Sequence, residues 1–456
     1  MTSQLKLVFW RLLTQFRTLN NHQLPAWIDY AKIQYSIRFK KYRAIKAPER
    51  SMLLLVWEFP PQILGGVYRP ISWIKYAADA GWKVTVLCSQ AEPNPSEAGI
   101  ELERSIPKNT QINRVATQPQ GPHPWPLPNI DGGLKNAFTV FESVQPLMQT
   151  DRPGVILASG PPFHNFLAGA WLAKKYNCPL VLDYRDEWTA SPFTFVLKDR
   201  INSKLEKYCL HRADLVIFTT ESQRLYAIQT FPELNEEKCV VVTNGWEPSD
   251  FFIPGNARPP EKTINTHTTI TIAYLGNLGP MADPESFLTA LSKVLDASPE
   301  IRTRIKFKCI GKKSTEAQKQ LANFKYQDNL ELIDQITKQA ACQVMRSVDF
   351  LLILNPPTIH RYIQGKLYEY IASGTPILMF GKGGEMADII SSLNTGIIVD
   401  ADNESELAHA LNNTNAQVRT EQSAKINNWL KSRQRKVLAS IIFEHLDRVV
   451  QQRTNP

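Results

Sequence analysis

The 456 residues contain no G-x-x-x-x-G-K-[S/T] phosphate loop, no G-x-G-x-x-G turn, no H-E-x-x-H helix and no G-x-S-x-G elbow. Walker nucleotidases, ordinary dinucleotide enzymes, zincins and serine hydrolases therefore have no support. Cysteine is scarce: Cys88, Cys178, Cys209, Cys239, Cys309 and Cys342 stand tens of residues apart, with no C-x-x-C pair. That spacing argues against a zinc ribbon or a disulfide framework and suits a reducing compartment, so the chain is expected to be cytoplasmic. No apolar run approaches the roughly 20 residues that span a bilayer. No continuous apolar core precedes a small-residue cleavage site, so a secretory leader is not expected.

Hydrophobic residues make up 43% of the chain and charged residues 21%, the composition of a globular protein. At about 100–200 residues per domain, the length predicts two or three domains. The formal charge is +9, and its placement is uneven. Residues 1–50 hold ten basic side chains against Asp29 and Glu49, which leaves the body close to neutral. A near-neutral body predicts no nucleic-acid partner. The leader mixes Trp10, Phe16, Trp27, Tyr30, Tyr35, Phe39 and Tyr42 with those cations. Apolar stems with cationic tips suit an anionic membrane surface, which the leader would hold peripherally. The competing reading is a pair of helices packed on the body with a solvated basic face.

From Ser51 onward, short β-rich runs alternate with longer helical stretches. Strands are predicted at 53–57, 84–88, 155–158, 180–183, 215–219 and 240–243, with helices such as 67–80 and 164–176 between them. Runs such as LLLV and LVLD predict strands covered on both faces, hence a parallel sheet. The stretch IPGNARPPEKTINTHTT has three prolines and no apolar period, and reads as a linker. The rhythm then restarts at 270–275, 305–310, 330–333, 350–354, 376–379 and 396–399, and a helical stretch over 423–451 follows. The predicted division is a basic extension over 1–50, an α/β domain over 51–253, a linker over 254–269, a second α/β domain over 270–425, and a helix over 426–456 that crosses back. Ligands of open parallel sheets bind beyond the carboxyl ends of the strands, so two facing sheets predict a cleft.

Candidate residues cluster at those strand ends. Gly65-Gly66 stands at a strand-to-helix turn, where backbone N–H groups can approach an anion, and Arg69 adds a forked donor within one turn. His164 follows the sharp Ser159-Gly160-Pro161-Pro162 strand end, placed to meet a sugar hydroxyl or take up a proton, or simply to cap and pack a helix. LVLDYRDEW crowds Asp183, Arg185, Asp186, Glu187 and Trp188 onto one terminus, a set able to bind sugar hydroxyls and a sugar face or merely to shape a loop. Trp246, after Asn244-Gly245, either lines the cleft or serves the domain crossover. Lys366 and Glu369 share a helix face at i,i+3, so they either offer an amine to a diphosphate and a carboxylate to ribose, or pair with each other. Asp400-Ala401-Asp402 matches the metal-holding D-x-D, but its place between a strand and a helix favours capping, so no metal site is predicted.

Taken in order, GGVYRPISWIKYAADAGWKVTVL, ASGPPFHNFLAG, LVLDYRDEW, RADLVIFTTES, VVVTNGWEPSDF and GKLYEYIASGTPIL resemble glycosyltransferase family 4 over about residues 51–450. The resemblance implies the GT-B fold: two Rossmann-like parallel-sheet domains facing a cleft, here with a basic helical N-terminal extension. It implies transfer of a sugar from a nucleoside-diphosphate sugar to a glycan or lipid-linked acceptor of a cell-surface polysaccharide, with retention of configuration, no cofactor and no bound metal. By the same resemblance Glu369 binds ribose, Lys366 the diphosphate, Gly65 and Gly66 the donor phosphates, and His164 lies near the donor sugar. Two positions depart from the family. Arg361 stands where a second glutamate is usual, and Asn277 where an Arg or Lys is common after the first strand of the second domain. Two other readings remain: an inactive GT-B scaffold in an assembly complex, and a sugar-nucleotide epimerase of the same architecture.

Overall fold

The computed structural model describes residues 50–91, 93–118, 129–194, 196–251, 269–412 and 424–454, together with Ala31, Ile33 and Tyr35. Most of the basic leader and the linker expected over 254–269 lie outside the described residues; Ile33, within the leader, is buried in the first core.

Thirteen strands of the described residues form two all-parallel sheets. The first holds β1 (Ser51–Leu55), β2 (Lys83–Ser89), β3 (Gln111–Val115), β4 (Val155–Gly160), β5 (Leu180–Tyr184), β6 (Leu215–Phe218) and β7 (Cys239–Val241), in the order β3-β2-β1-β4-β5-β6-β7. The second holds β8 (Ile270–Leu275), β9 (Ile305–Ile310), β10 (Leu330–Ile333), β11 (Phe350–Leu354), β12 (Ile377–Phe380) and β13 (Gly396–Val399), in the order β10-β9-β8-β11-β12-β13. The expected fold class is thus observed: α/β, with two Rossmann-like parallel sheets.

Side chains alternate across each strand, so a wholly apolar run feeds two cores at once. Leu53 and Leu55 of β1 enter one core, while Met52 and Leu54 enter the other. In β11, Leu351 and Ile353 face one side, and Phe350, Leu352 and Leu354 the opposite one. The helices that cover these faces and matter below are α1 (Tyr68–Ala77), α2 (Leu134–Thr150), α3 (His164–Tyr176), α4 (Glu221–Thr230), α5 (Lys338–Ser347), α6 (Lys366–Ser373), α7 (Gly384–Leu393), α8 (Ala424–Ser432) and α9 (Arg435–Thr454). No helix of the described residues is long and apolar enough to cross a membrane.

The strand order reverses between β1 and β4, and again between β8 and β11. Such switch points open a crevice at the carboxyl ends of the strands. Contacts between the segments that follow β5 and β11 bring these ends together across the two halves, as described below.

The chain passes between the halves twice. Trp246, on the way out, receives nothing from the cleft: its backbone N–H donates to Arg433 O at 3.1 Å, and Arg435 N–H donates to Trp246 O at 2.9 Å. Its indole N–H donates to Leu430 O at 2.8 Å. Trp246 is therefore a crossover residue, the structural alternative of the two readings. From there α9 returns to the first sheet, where Leu438, Ala439, Ile442, Phe443, Leu446, Val449 and Val450 enter the same core as Met52 and Leu54. Phe443 stacks on Trp82 with ring centroids 5.7 Å apart.

Candidate active site

Gly65, Gly66 and Val67 form a short 3-10 turn that runs straight into α1. The two glycines are not equivalent. A Cβ on Gly66 would overlap the Arg185 guanidinium, so any larger residue there would push that side chain out of its present seat. At Gly65 a Cβ would meet nothing within 4 Å, so its face is open.

Arg69 does not face this opening. It is 6% exposed, and it grips the buried Asp183 with Nε at 3.0 Å and Nη2 at 2.8 Å, while Nη1 donates to Thr243 O at 2.9 Å. A buried forked donor that spends three of its N–H groups on β5 and the chain beyond β7 fastens α1 to the sheet instead of facing a phosphate. The expectation of a donor contact from Arg69 is corrected accordingly.

Arg185, beyond β5, donates to the Pro161 carbonyl and lies 4.0 Å from Glu58. Beside it, burial pushes the Asp186 carboxyl up to about 6, with Arg185 pulling the other way. Asp186 has no hydrogen-bond partner among the described residues and is partly exposed. Trp188 lies in the core, fully buried and stacked on Phe163 at 5.1 Å, so it offers no face to a sugar.

His164 opens α3 and is fully buried. Trp57 meets its ring edge-on at 4.4 Å, and a Cβ on Gly132 would collide with Nδ1. Asp131 closes the same loop over the helix start, its carboxylate accepting from Phe163 N–H at 3.1 Å and its carbonyl from His164 N–H at 3.1 Å. Neither imidazole nitrogen has a hydrogen-bond partner among the described residues, and burial lowers its pKa to about 3, so the ring is neutral. In this conformation the histidine is sealed beneath the loop and does not line an open face.

In the second half, Lys366 opens α6 behind the switch point. Its Nζ sits 3.5 Å from the Tyr274 ring centroid, and Gly276, at φ +129°, leaves room where a Cβ would come within 3.0 Å of it. Burial lowers this amine to about 7, with Glu369 pulling back up. No carboxylate of the described residues forms an ion pair with it. Asn277 is exposed, and its backbone carbonyl accepts from Tyr274 Oη at 3.0 Å.

Glu369 is not Lys366's partner. Its Oε1 accepts from Lys338, at the start of α5, and from Arg435, at the start of α9, the latter at 3.2 Å. Burial, the largest single influence, would lower the Lys338 ammonium, but Glu369, Tyr68 and Asp250 together outweigh it and the pKa is raised. Both cations lie over the Tyr68 ring, at 5.0 and 5.2 Å.

Arg361 reaches across the cleft instead of holding a donor sugar. Its Nε and Nη2 each meet Glu187 at 2.7 Å, a bidentate pair, and Tyr362 Oη adds a third bond to Glu187 at 3.0 Å. The Arg361 carbonyl accepts from Thr220 Oγ1 at 2.6 Å, and Glu385, in α7, accepts from Ser222 N–H of α4 at 2.6 Å. The D-x-D pair forms a turn and does not itself cap the helix that follows: Asp402 N–H donates to Asp400 Oδ1 at 3.0 Å, Asp400 pairs with Lys382 at 3.2 Å, and it is Asn403 Oδ1 that accepts from Ser405 N–H in the first helical turn, at 3.2 Å.

Gly65, Gly66, Arg185 and Asp186 thus gather at one switch point, and Lys366, Glu369 and Asn277 at the other, while Arg69 and His164 lie beneath the surface. Lys338 and Arg435 escaped sequence reasoning. A cation at the first position of a helix opposes the helix dipole, and both helices lack an acidic residue in their first turn. That misplacement was the available signal.

Two doubly wound sheets meeting at their carboxyl edges, with the chain crossing between them twice, define the GT-B class of proteins. Residues 72–245 match the family described as a glycosyl transferase 4-like domain, and residues 269–415 match glycosyl transferases group 1. The chain belongs to the family-4-like glycosyltransferases and is an enzyme of that kind. Among solved structures it is similar to HepE of Anabaena in complex with UDP and glucose, at 17% identity and TM-score 0.57, over 88% of this chain and 98% of that one. It is similar to sucrose-phosphate synthase of Thermosynechococcus elongatus, at 14% identity and TM-score 0.59, over 88% and 97%. It is also similar to a trehalose-6-phosphate structure from E. coli bound with UDP-2-fluoro glucose, at 15% identity and TM-score 0.65, over 87% and 99%. No curated protein matches the sequence.

Proposed function

We propose that this enzyme moves a sugar from a nucleoside-diphosphate sugar to a glycan or lipid-linked acceptor in the making of a cell-surface polysaccharide, with retention of configuration. The observation that carries the reading is Lys366: an amine with no carboxylate partner among the described residues, held at a switch point one helical turn from Glu369. Structures of this fold bound with UDP-glucose and with UDP-2-fluoro glucose support a nucleotide-sugar donor.

As the glycosidic bond breaks, negative charge grows on the departing diphosphate. Lys366 and the backbone N–H groups of the Gly65-Gly66 turn are the groups suited to stabilise it, so the reading needs no bound metal. Asp186, with its raised pKa, is the carboxylate suited to meet the acceptor side, and Arg185 holds the glycine turn beside it. Docking of the two halves would bring sugar and acceptor together and exclude water.

Lys366→Ala and Glu369→Ala are each expected to lower transfer, followed as nucleoside-diphosphate release with acceptor present, by about a hundredfold. Near-wild-type turnover in both variants discards the site. The acceptor reading gives the basic leader a role on an anionic membrane. Deleting residues 1–50 is expected to weaken sedimentation with phosphatidylserine vesicles, and unchanged sedimentation removes that role.

A further inference from the structure

Glu369 is 8% exposed, and both of its protein contacts fall on one oxygen. Lys338 and Arg435 come from helices far apart in the chain. Lys338 opens α5, which follows β10 in the second half, while Arg435 opens α9, the helix that returns to the first sheet. Neither position suits a cation for its own helix, as noted above. Arg435 also pairs with Asp250 at 3.7 Å, at the point where the chain leaves the first half, and both cations rest on Tyr68, at the end of the glycine turn. The arrangement makes structural sense around one object, the Glu369 carboxylate.

A carboxylate oxygen has two lone-pair directions. On Oε1 both are taken, by Lys338 and Arg435. On Oε2 none is used by any described residue. A single oxygen with two free lone pairs, on a carboxylate that cannot swing, is a fixed acceptor for two neighbouring hydroxyls. We propose that Lys338 and Arg435 are positioning residues for nucleoside recognition: by occupying Oε1 of Glu369 they aim Oε2 at the vicinal hydroxyls of the donor ribose. This rests on the donor reading above. It assigns to the two cations the discrimination between a ribose and a 2′-deoxyribose donor. A site built to accept from a hydroxyl rejects the analogue lacking it, because its buried acceptor is then left unpaired.

Calorimetry with UDP, GDP, ADP and CDP identifies the ribonucleoside diphosphate that wild type binds most tightly. That diphosphate and its 2′-deoxy form are then titrated into wild type, Lys338→Met, Lys338→Arg, Glu369→Gln and the Lys338→Met/Glu369→Gln double variant. Wild type is expected to favour the ribose form by about tenfold or more. Lys338→Met is expected to lose that preference through weaker ribose binding, raising the donor KM while leaving kcat nearly unchanged. Lys338→Arg restores part of the preference. Lys338→Met adds no further loss in the Glu369→Gln background, since it acts through that carboxylate. Should Lys338→Met not fold, Arg435→Lys, which keeps the charge but shortens the reach, carries the same expectation. The proposal is overturned, with the donor reading intact, if the variants keep the ribose preference or if the losses add in the double variant. If wild type binds none of the four diphosphates, the donor reading falls and takes this proposal with it.

Discussion

Lys366 keeps an amine where water is scarce. Burial brings its pKa from an ordinary 10.5 down to about 7, and Glu369, the opposing influence, is engaged with two other cations. The amine is charged below about pH 7 and largely neutral above it. A diphosphate needs the charged form, so donor affinity is expected to be full near pH 6 and to fall as pH rises through 7. Binding of UDP-glucose, or of the best donor from a thermal-shift screen, at pH 6, 7 and 8 checks this, with Lys366→Met expected to flatten the slope. Stability runs the other way. Between about 7 and 10.5 the unfolded chain binds more protons than the folded one, so the cost of burying this amine fades as pH rises across that window. At this scale the sequence was legible where residues are neighbours: Lys366 and Glu369 lie one turn apart on α6, as their spacing predicts. It was illegible where partners are distant. Arg69 and Asp183 are 114 positions apart, and nothing in either local motif says that they bury each other. Glu369 meets partners 31 and 66 positions away. Trp188 and His164 fall in the right segments, but depth beneath the surface is set by neighbouring loops, and spacing does not encode it.

In the second sheet the predicted 270–275, 305–310, 330–333, 350–354 and 396–399 coincide with the observed strands. FLLIL is a continuous apolar run buried on both faces, whereas IKFKCI and the edge strand LELI were readable from apolar residues interleaved with charged ones. β3, with the sequence QINRV, sits at a sheet edge, is largely half-exposed and carries polar residues, so the pattern hid it. The helix α2 contains Pro146 and was likewise missed. The expected single helix over 423–451 is two, α8 and α9, broken where the chain hydrogen-bonds to Trp246. The strap between the segments after β5 and β11 was visible only as a departure, Arg361 in place of a carboxylate. Glu187 is 3% exposed and Arg361 neutralises it, so Arg361→Ala would leave a buried charge with only Tyr362 as donor. About 3 kcal/mol of the docking between the halves is expected to be lost. Small-angle scattering should show a larger radius of gyration, and thermal unfolding should separate into two transitions.

At the scale of the whole molecule the two halves are not two independent pieces. The first sheet's core is completed by Leu438, Ile442, Phe443 and Leu446 of α9, which follows the entire second sheet in the chain. Ending the chain at Ser432 is expected to bare that apolar face, and size-exclusion chromatography should find the product aggregated even though both sheets are present in full.

The same helix fixes an order of events during translation. A ribosome delivers β1 to β7 well before it has made the helix that roofs one of their faces, so the nascent first half emerges with a greasy side it cannot yet close. The wait ends only when α9 leaves the exit tunnel and folds back.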